Sequence, residues 1–231
     1  GVITIQDMQL VPLQGFSFTV NTEDLFSAVV SGVDVVIENN DFTFTGQTNA
    51  SGQVVFNSFY PGTYSVYAGK WGFIEYCSTT QFFDGSSLSY VVQLEEGYAD
   101  LFNLDLGWTV TGNAPDGVWE RANPDGTSYQ GDLCNPEDDS QDCGDKAFVT
   151  GNAGGNAGAD DVDQASTVLT SPAMDLTIAP NLVWNLEMDL WWFNSGGNSS
   201  PNDTLSVSLT DGANTITVLE YLSGASGMQW V

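Results

Sequence analysis

The sequence predicts an all-β protein, and two features of the chain support this prediction. Apolar and polar residues alternate over short runs, whereas the periodicity of an amphipathic helix is nearly absent. Gly, Asn, Asp and Pro interrupt these runs roughly every 8 to 12 residues, which is the spacing of short strands joined by turns. The 231 residues are 42% apolar, which is enough to bury a core, and the alternation favours antiparallel sandwich sheets.

Seven strands are predicted in the first part of the chain. The run Asn49-Ala50-Ser51-Gly52 is a predicted turn between two of them, because Asn and Gly favour tight turns. The predicted strands cover residues 16–20, 29–38, 42–48, 53–56, 63–67, 74–77 and 88–94.

Six further strands are predicted after Glu95-Glu96-Gly97, and Asp211-Gly212 predicts a hairpin between the last two. They cover residues 108–111, 146–150, 167–171, 182–193, 204–210 and 215–222. The strand at 182–193 alternates most plainly, so one face is predicted to be core and the other to face water. The core face carries Trp184, Leu186, Met188, Leu190 and Trp192, and the other face carries Asn185, Glu187 and Asp189.

The charge of the chain is strongly one-sided. It has 30 Asp and Glu residues against 3 Lys and Arg, a formal net charge of -27, and no His. Binding to nucleic acid needs a basic patch, so nucleic acid is excluded as a partner. Without His, the Ser-His and Cys-His forms of catalysis and His-bound metals are excluded, and we predict no enzymatic activity.

Composition predicts an extracellular protein. Charged residues make up 14% of the chain against roughly 25% in an average domain, so Asn, Ser, Thr and Gly must form much of the surface. No apolar run approaches the ~20 residues of a membrane-spanning helix, and Gly1 opens a mature-looking strand rather than a signal peptide. We therefore predict no membrane insertion. Repulsion within the one-sided charge predicts a fold that relies on bound cations or on high ionic strength.

Two sets of motifs carry resemblances to known families. Within residues 32–73, the turn from Thr48 to Gly52 and the run Pro61-Gly62-Thr63-Tyr64 resemble the carboxypeptidase regulatory-like domain, a small transthyretin-like β-sandwich. A second set lies in residues 98–231, at 106–110, 117–121, 148–152, 160–163 and 169–172. It resembles the jelly-roll domain, related to MAM and concanavalin-like sandwiches, that is appended to secreted bacterial metallopeptidases of the zinc carboxypeptidase and immune-inhibitor types. The same tandem occurs in large bacterial surface proteins.

The resemblances imply two tandem β-sandwiches. A transthyretin- or Ig-like sandwich is expected at residues 14–96 and a jelly roll at 97–231, with residues 1–13 as a linker or the tail of a preceding domain. The jelly-roll pattern continues past Gln229-Trp230-Val231, which implies that this domain is incomplete at its C-terminus.

The resemblances also imply a function. No catalytic residue is carried over, because the peptidase of such proteins is a separate upstream domain. The implied role is that of a non-catalytic accessory module of a larger secreted or cell-surface bacterial protein, whose partners are its neighbouring domains and a substrate, glycan or cell surface. The alternative is a structural subunit or stalk of an adhesin or filament, assembled through β-strand contacts with neighbouring protomers.

A dense acidic segment predicts a structural Ca²⁺ site in the second domain. Nine carboxylates lie between residues 132 and 163, and Ca²⁺ takes six to eight oxygen ligands. The candidate ligands are Asp138, Asp139, Asp145, Asp160, Asp161 and Asp163, with Asp203 completing the shell from a distant part of the chain. The alternatives are a solvated acidic loop and, for Asp203, an ordinary turn residue before a strand.

The remaining candidate site residues are three cysteines and one tryptophan. Cys134 and Cys143 are the predicted disulfide, which would place the chain in an oxidising compartment; the alternative is buried or idle thiols. Cys77 is then either buried or paired with a segment outside this chain. Trp191 either stacks on a sugar ring or packs under a loop.

Overall fold

The computed structural model describes residues 12–159, 161–162, 165–178, 183–194 and 203–221. These ranges contain strands and two short 3-10 turns but no α-helix, so the predicted all-β class is confirmed. No helix in these ranges is long and apolar enough to cross a membrane. The chain forms two compact units, Gly1–Ala99 and Asp100–Val231.

The first unit contains seven strands in two sheets. In chain order they are β1 (Phe16–Asp24), β2 (Asp34–Glu38), β3 (Thr43–Gln47), β4 (Gln53–Phe59), β5 (Gly62–Gly69), β6 (Tyr76–Phe83) and β7 (Ser89–Leu94). One sheet has the order β3-β2-β5-β6 and is antiparallel throughout. The other has the order β4-β1-β7, in which β7 runs parallel to β1.

Both sheets of the first unit contribute side chains to one core. Alternate residues of each strand are buried, as at Val35 and Ile37 of β2, because successive side chains point to opposite faces. Aromatic rings fill the centre, where Phe18 stacks on Phe59 at 4.5 Å and Phe83 meets Phe18 edge-on at 4.9 Å. The two sheets therefore share a core in the manner of a β-sandwich.

All seven predicted strands of the first unit overlap an observed strand, but the boundaries differ. Residues 29–33, which the sequence predicts to be part of a strand, are irregular apart from a single bridge of Val29 to Glu23. They cross between the sheets, held by the buried hydroxyls of Thr22 and Thr48: Thr22 donates to the carbonyl of Val30, and Thr48 accepts from the amide of Val33 at 3.0 Å. Strand β6 reaches Phe83 because it pairs with the whole length of β5.

The boundary between the units lies after Ala99, whereas the prediction placed it after Glu96. Glu96 and Ala99 form bridges with Phe73 and Ile74, which ties this stretch to the first unit. Residues 1–11 of the predicted N-terminal tail and residues 229–231, past which the jelly-roll pattern continues, lie outside the described residues.

The second unit has four separate sheets among its described residues, and most of its strands have four residues or fewer. The strands are β8 (Thr109–Gly112), β9 (Trp119–Ala122), β10 (Thr127–Tyr129), β11 (Asp132–Leu133), β12 (Ala147–Thr150), β13 (Gly155–Asn156), β14 (Thr167–Thr170), β15 (Leu205–Thr210) and β16 (Thr215–Tyr221). The pairs are β8 with β14, β9 with β12 and β15 with β16, and the triplet is β11-β10-β13. The predicted hairpin at Asp211-Gly212 is confirmed, because β15 and β16 pair in antiparallel register around it.

The predicted long strand at 182–193 is wrong over its described part. Residues 183–194 contain no strand beyond a single bridge residue at Trp192. Trp184 and Leu186 of the predicted core face are exposed, Leu186 at 47%. Alternation defines two faces, but a strand also needs a neighbour for its backbone, and the described residues provide none here. The strands β9, β10, β11 and β13 were not predicted; all have four residues or fewer.

Candidate functional site

The acidic segment between β11 and β12 is held by amide side chains at both ends. Asn135 donates to the carbonyls of Thr150 and Gly151 at 3.3 and 3.1 Å. Asn103 is 4% exposed; it donates to the carbonyl of Cys143 at 2.8 Å and accepts from the amide of Asp145 at 3.4 Å. Side-chain amides that bond to backbone, one buried and one half-buried, fix the path of a segment that has no regular structure of its own.

A glycine allows this path. Gly144 has a φ of +125°, and a Cβ at this position would overlap the side-chain amide of Asn103. Only glycine fits both conditions. The turn of the chain at Gly144 brings the residues on either side of it toward the same buried amide.

Two carboxylates of the segment interact directly. Asp139 accepts from the amide of Ser140 at 2.7 Å through Oδ1, while its Oδ2 is buried without a hydrogen-bond partner. Its side chain faces that of Asp142. Burial, followed by the charge of Asp142, raises the pKa of Asp139 to about 7. A buried carboxylate oxygen without a hydrogen-bond donor, next to a second carboxylate, is stabilised by a proton or a cation between the two groups.

Two further carboxylates act on this pair. The charge of Asp145 contributes to the raised pKa of Asp139. Burial, followed by the charge of Asp189, raises the pKa of Asp142. The guanidinium of Arg121 is not among the groups that act on this pair; it donates to the carbonyls of Phe102 and Asn103, at 2.8 and 3.2 Å. We call Asp139, Asp142, Asp145 and Asp189 the carboxylate group.

The structure brings together part of the predicted ligand set. Asp139 and Asp145 belong to the carboxylate group, whereas Asp138 and Asp161 are not among the charges that act on Asp139 or Asp142. Asp203 is exposed, and its backbone carbonyl accepts from Asn194 at 2.9 Å. Asp160 and Asp163 lie outside the described residues. Over the described ranges, no group of three or more Asp, Glu or Cys side chains is arranged to hold a metal ion.

Sequence reasoning missed two members of the carboxylate group. Asp142 lies in the acidic segment but was not among the predicted ligands. Asp189 lies 47 residues beyond Asp142 (189 − 142). No spacing rule connects the two, because their proximity depends on how the second unit folds.

The predicted disulfide between Cys134 and Cys143 is wrong. Cys134 is a free, buried thiol, and burial raises its pKa. Cys143 is disulfide-bonded, as is Cys77 of the first unit. The thiol of Cys134 is buried and donates to the carbonyl of Asp132 at 3.6 Å, so it lies within the unit.

Trp191 lies beside the start of the acidic segment. Its indole N-H donates to the carbonyl of Cys134 at 2.6 Å, and its ring is half-buried. This bond attaches residues 183–194 to the segment and accounts for the position of Asp189 two residues before it. This internal hydrogen bond fits the alternative in which Trp191 packs within the unit. The stacking of Trp191 on a sugar ring stays a prediction.

Comparison with known proteins identifies no relative. The chain matches no family model, no curated protein and no solved structure. The resemblances to the carboxypeptidase regulatory-like and jelly-roll domains therefore rest on the sequence motifs alone.

Proposed function

We propose that this chain is a non-catalytic, calcium-stabilised binding module of a larger secreted or cell-surface bacterial protein. We further propose that its first unit is a transthyretin-like sandwich and its second a jelly roll. The shared core of the two sheets in the first unit supports the first assignment. The observation that carries the function is the carboxylate group, which concentrates negative charge around an oxygen of Asp139 that has no donor.

Calcium fits this group by its chemistry. Ca²⁺ is a hard cation that prefers carboxylate and carbonyl oxygens and tolerates irregular shells completed by water. Asp139 and Asp142 would bind it first, and Asp145 and Asp189 would add charge. Without a cation, one proton shared by Asp139 and Asp142 relieves part of the repulsion.

The proposed role of the ion is to hold a surface in place. It would link the acidic segment to residues 183–194 through Asp189, in addition to the hydrogen bond of Trp191. A segment ordered in this way loses less entropy when it binds a partner. The partner classes proposed are a substrate, a glycan or a cell surface, and the chain would contribute attachment rather than catalysis.

Thermal unfolding of the full chain with CaCl₂ and with EGTA, at matched high ionic strength, tests the proposal. At a calcium concentration of about 100 Kd, we expect the midpoint of the second unit to rise by roughly 5–10 °C, because a ligand of the folded state alone stabilises it. The variant Asp139→Asn should lose most of this rise. The control Asp116→Asn removes the same charge from an exposed position of the same unit and should keep it. An equal rise in both variants, or no rise in the parent, contradicts the proposal.

A second candidate function is a structural subunit assembled with neighbouring protomers. It is favoured by the paired side chains of Leu209 and Ile216 on the β15–β16 hairpin, which are both exposed. Sedimentation of the full chain over a range of concentrations distinguishes the two functions. Oligomers that disappear in Ile216→Ser support the structural role, and a monomer at all concentrations removes it.

A further inference from the structure

Strand β7 lies at the edge of its sheet. Within the described ranges, its one strand partner is β1. An edge strand presents N-H and C=O groups to which another extended chain can bond. The inference drawn from this edge goes beyond the proposed function and does not depend on calcium.

The register shows which backbone groups of β7 face outward. The amide of Thr19 donates to the carbonyl of Leu88 at 3.0 Å. Because backbone groups alternate in direction along a strand, Tyr90, Val92 and Leu94 also face β1. The outward groups belong to the three residues between them, Ser89, Val91 and Gln93.

Two of these three residues have free backbone positions on the outer side. The carbonyl of Ser89 accepts from the hydroxyl of Ser87 at 2.9 Å, and its amide donates to the same hydroxyl at 3.5 Å. Val91 and Gln93 have no such bond among the described residues. Together they offer two donors and two acceptors in the spacing of a β-ladder.

The edge has none of the usual protections against pairing. Residues 86–94 contain no charge and no Pro, and β7 pairs with β1 without a bulge. Lys, Pro, bulges and charges are the devices by which natural edge strands avoid partners. The side chains of Leu88 and Val91 are exposed beside the edge.

Charge decides which partner suits this edge. Asp84 precedes it, Glu95 and Glu96 follow it, and Glu23 accepts from Gln93 at 3.0 Å on the neighbouring strand. A second copy of the chain, with a net charge of -27, would bring the same carboxylates to both ends. A segment with cations at its ends would instead meet opposite charge.

We propose that the outer edge of β7 is a binding site for an extended segment of another protein, with an uncharged β-branched centre and Lys or Arg at both ends. The segment adds a fourth strand to the β4-β1-β7 sheet and bonds to the backbone of Val91 and Gln93. Backbone pairing supplies the binding mode, and the flanking carboxylates select cationic ends.

The probe is the acetylated, amidated peptide Lys-Lys-Thr-Val-Thr-Val-Thr-Lys-Lys, added to the full chain. We expect the amides of Val91 and Gln93 to exchange with solvent at least about tenfold more slowly in its presence, as paired strand amides do. A control peptide has Pro in place of the central Thr. Equal binding of this peptide would show unspecific attraction and overturn the proposal, as would the absence of binding to the first peptide.

Variants of β7 test the location. Val91→Pro removes an outward N-H without removing a bond to β1, and an edge strand tolerates Pro at such a position. Val91→Lys is the second variant, in case the first does not fold. Val55→Lys is the matched control, since Val55 lies on the opposite edge strand β4 and shares the 49% exposure of Val91.

We expect both Val91 variants to weaken peptide binding by about tenfold or more and the Val55 variant by about twofold or less. An equal loss of peptide affinity at Val91 and at Val55 would contradict the location of the binding site on β7. Protection of Val91 and Gln93 that grows with protein concentration in the absence of peptide also overturns the proposal, because the occupant of the edge is then a second copy of the chain.

Discussion

The first unit buries a large cluster of apolar side chains between two sheets, whereas the described ranges of the second unit bury few. Fourteen apolar residues form one core cluster in the first unit. In the second, the buried apolar residues of the described ranges are Leu104, Leu106, Cys134, Ala147 and Val149. The difference follows mainly from pairing: the first unit assembles its strands into sheets of three and four that face each other, whereas the described strands of the second form pairs and one triplet, most of them of four residues or fewer.

The two units therefore have different sources of stability. The first depends on the area of apolar surface removed from water. The second depends more on buried amides such as Asn103 and on the state of the carboxylate group. Its response to pH and to cations should be correspondingly larger.

The largest expected effect is the removal of a central ring in the first unit. Phe59 is 0% exposed and its ring packs on those of Phe18, Tyr64 and Phe83. We expect Phe59→Ala to lower the free energy of unfolding of this unit by about 3–5 kcal/mol, because a cavity replaces the ring. Urea unfolding measures it. Phe26→Ala is the control: Phe26 is 93% exposed, and a comparable loss there would contradict the account of the core.

A glycine of the second unit should give the next largest effect. We expect Gly144→Ala to cost about 2–4 kcal/mol, since a Cβ overlaps the Asn103 amide and the positive φ disfavours alanine. Gly131→Ala is the control, because Gly131 also has a positive φ but has open space around its Cβ position. Thermal unfolding of the two variants separates the effects: Gly144→Ala introduces both the steric overlap and the backbone strain, whereas Gly131→Ala introduces the backbone strain alone. Equal losses would show that the fit against Asn103 contributes nothing.

We expect pH to change the free energy of unfolding of the second unit by less than either of these substitutions does. The folded pKa of Asp139 is about 7, above the ordinary value, so protonation favours the folded state. This contribution is complete below the ordinary pKa of ~4 and is lost as the pH rises through about 7. Without divalent cations, we expect a loss of about 1–2 kcal/mol from about pH 5 to about pH 8, after discounting for solvent. Urea unfolding at several pH values measures this loss. Asp139→Asn should abolish most of the pH dependence, whereas the control Asp116→Asn should keep it. An equal pH dependence in the two variants would contradict the assignment of the effect to Asp139.

The smallest effect concerns the free thiol and leaves stability unchanged. Cys134 is the free cysteine and is buried, so it should resist alkylation in the folded chain. After denaturation without reductant, we expect one added label, on Cys134. Mass spectrometry of the digested chain locates it. A label on Cys77 instead of Cys134 would restore the disulfide predicted from the sequence.

The two units also differ in how far sequence reasoning reaches. In the first, the turn at 49–52 follows from its residues: the side chain of Asn49 accepts from the amides of Ser51 and Gln53 at 2.8 and 3.2 Å, and Gly52 has a φ of +68°. Such contacts are local, so residue type and spacing are sufficient to predict them.

The errors concern contacts between distant residues. The alternation of 183–194 resembles that of a true strand, but pairing depends on a neighbour that the pattern does not name. The nine-residue spacing of Cys134 and Cys143 permits a disulfide, yet the thiol of Cys134 is free, buried and bonded to the carbonyl of Asp132.

The all-β class, the local turns and the acidic, His-free chemistry of this protein follow from its residues alone, because they depend on composition and on neighbours along the chain. Three features emerge only when the chain is folded: Asp189 joins Asp139 and Asp142, Cys134 is the free thiol, and β7 forms a sheet edge. These features depend on which distant segments meet. Alternation and spacing specify the faces of a strand, whereas the packing of the whole unit specifies its neighbours.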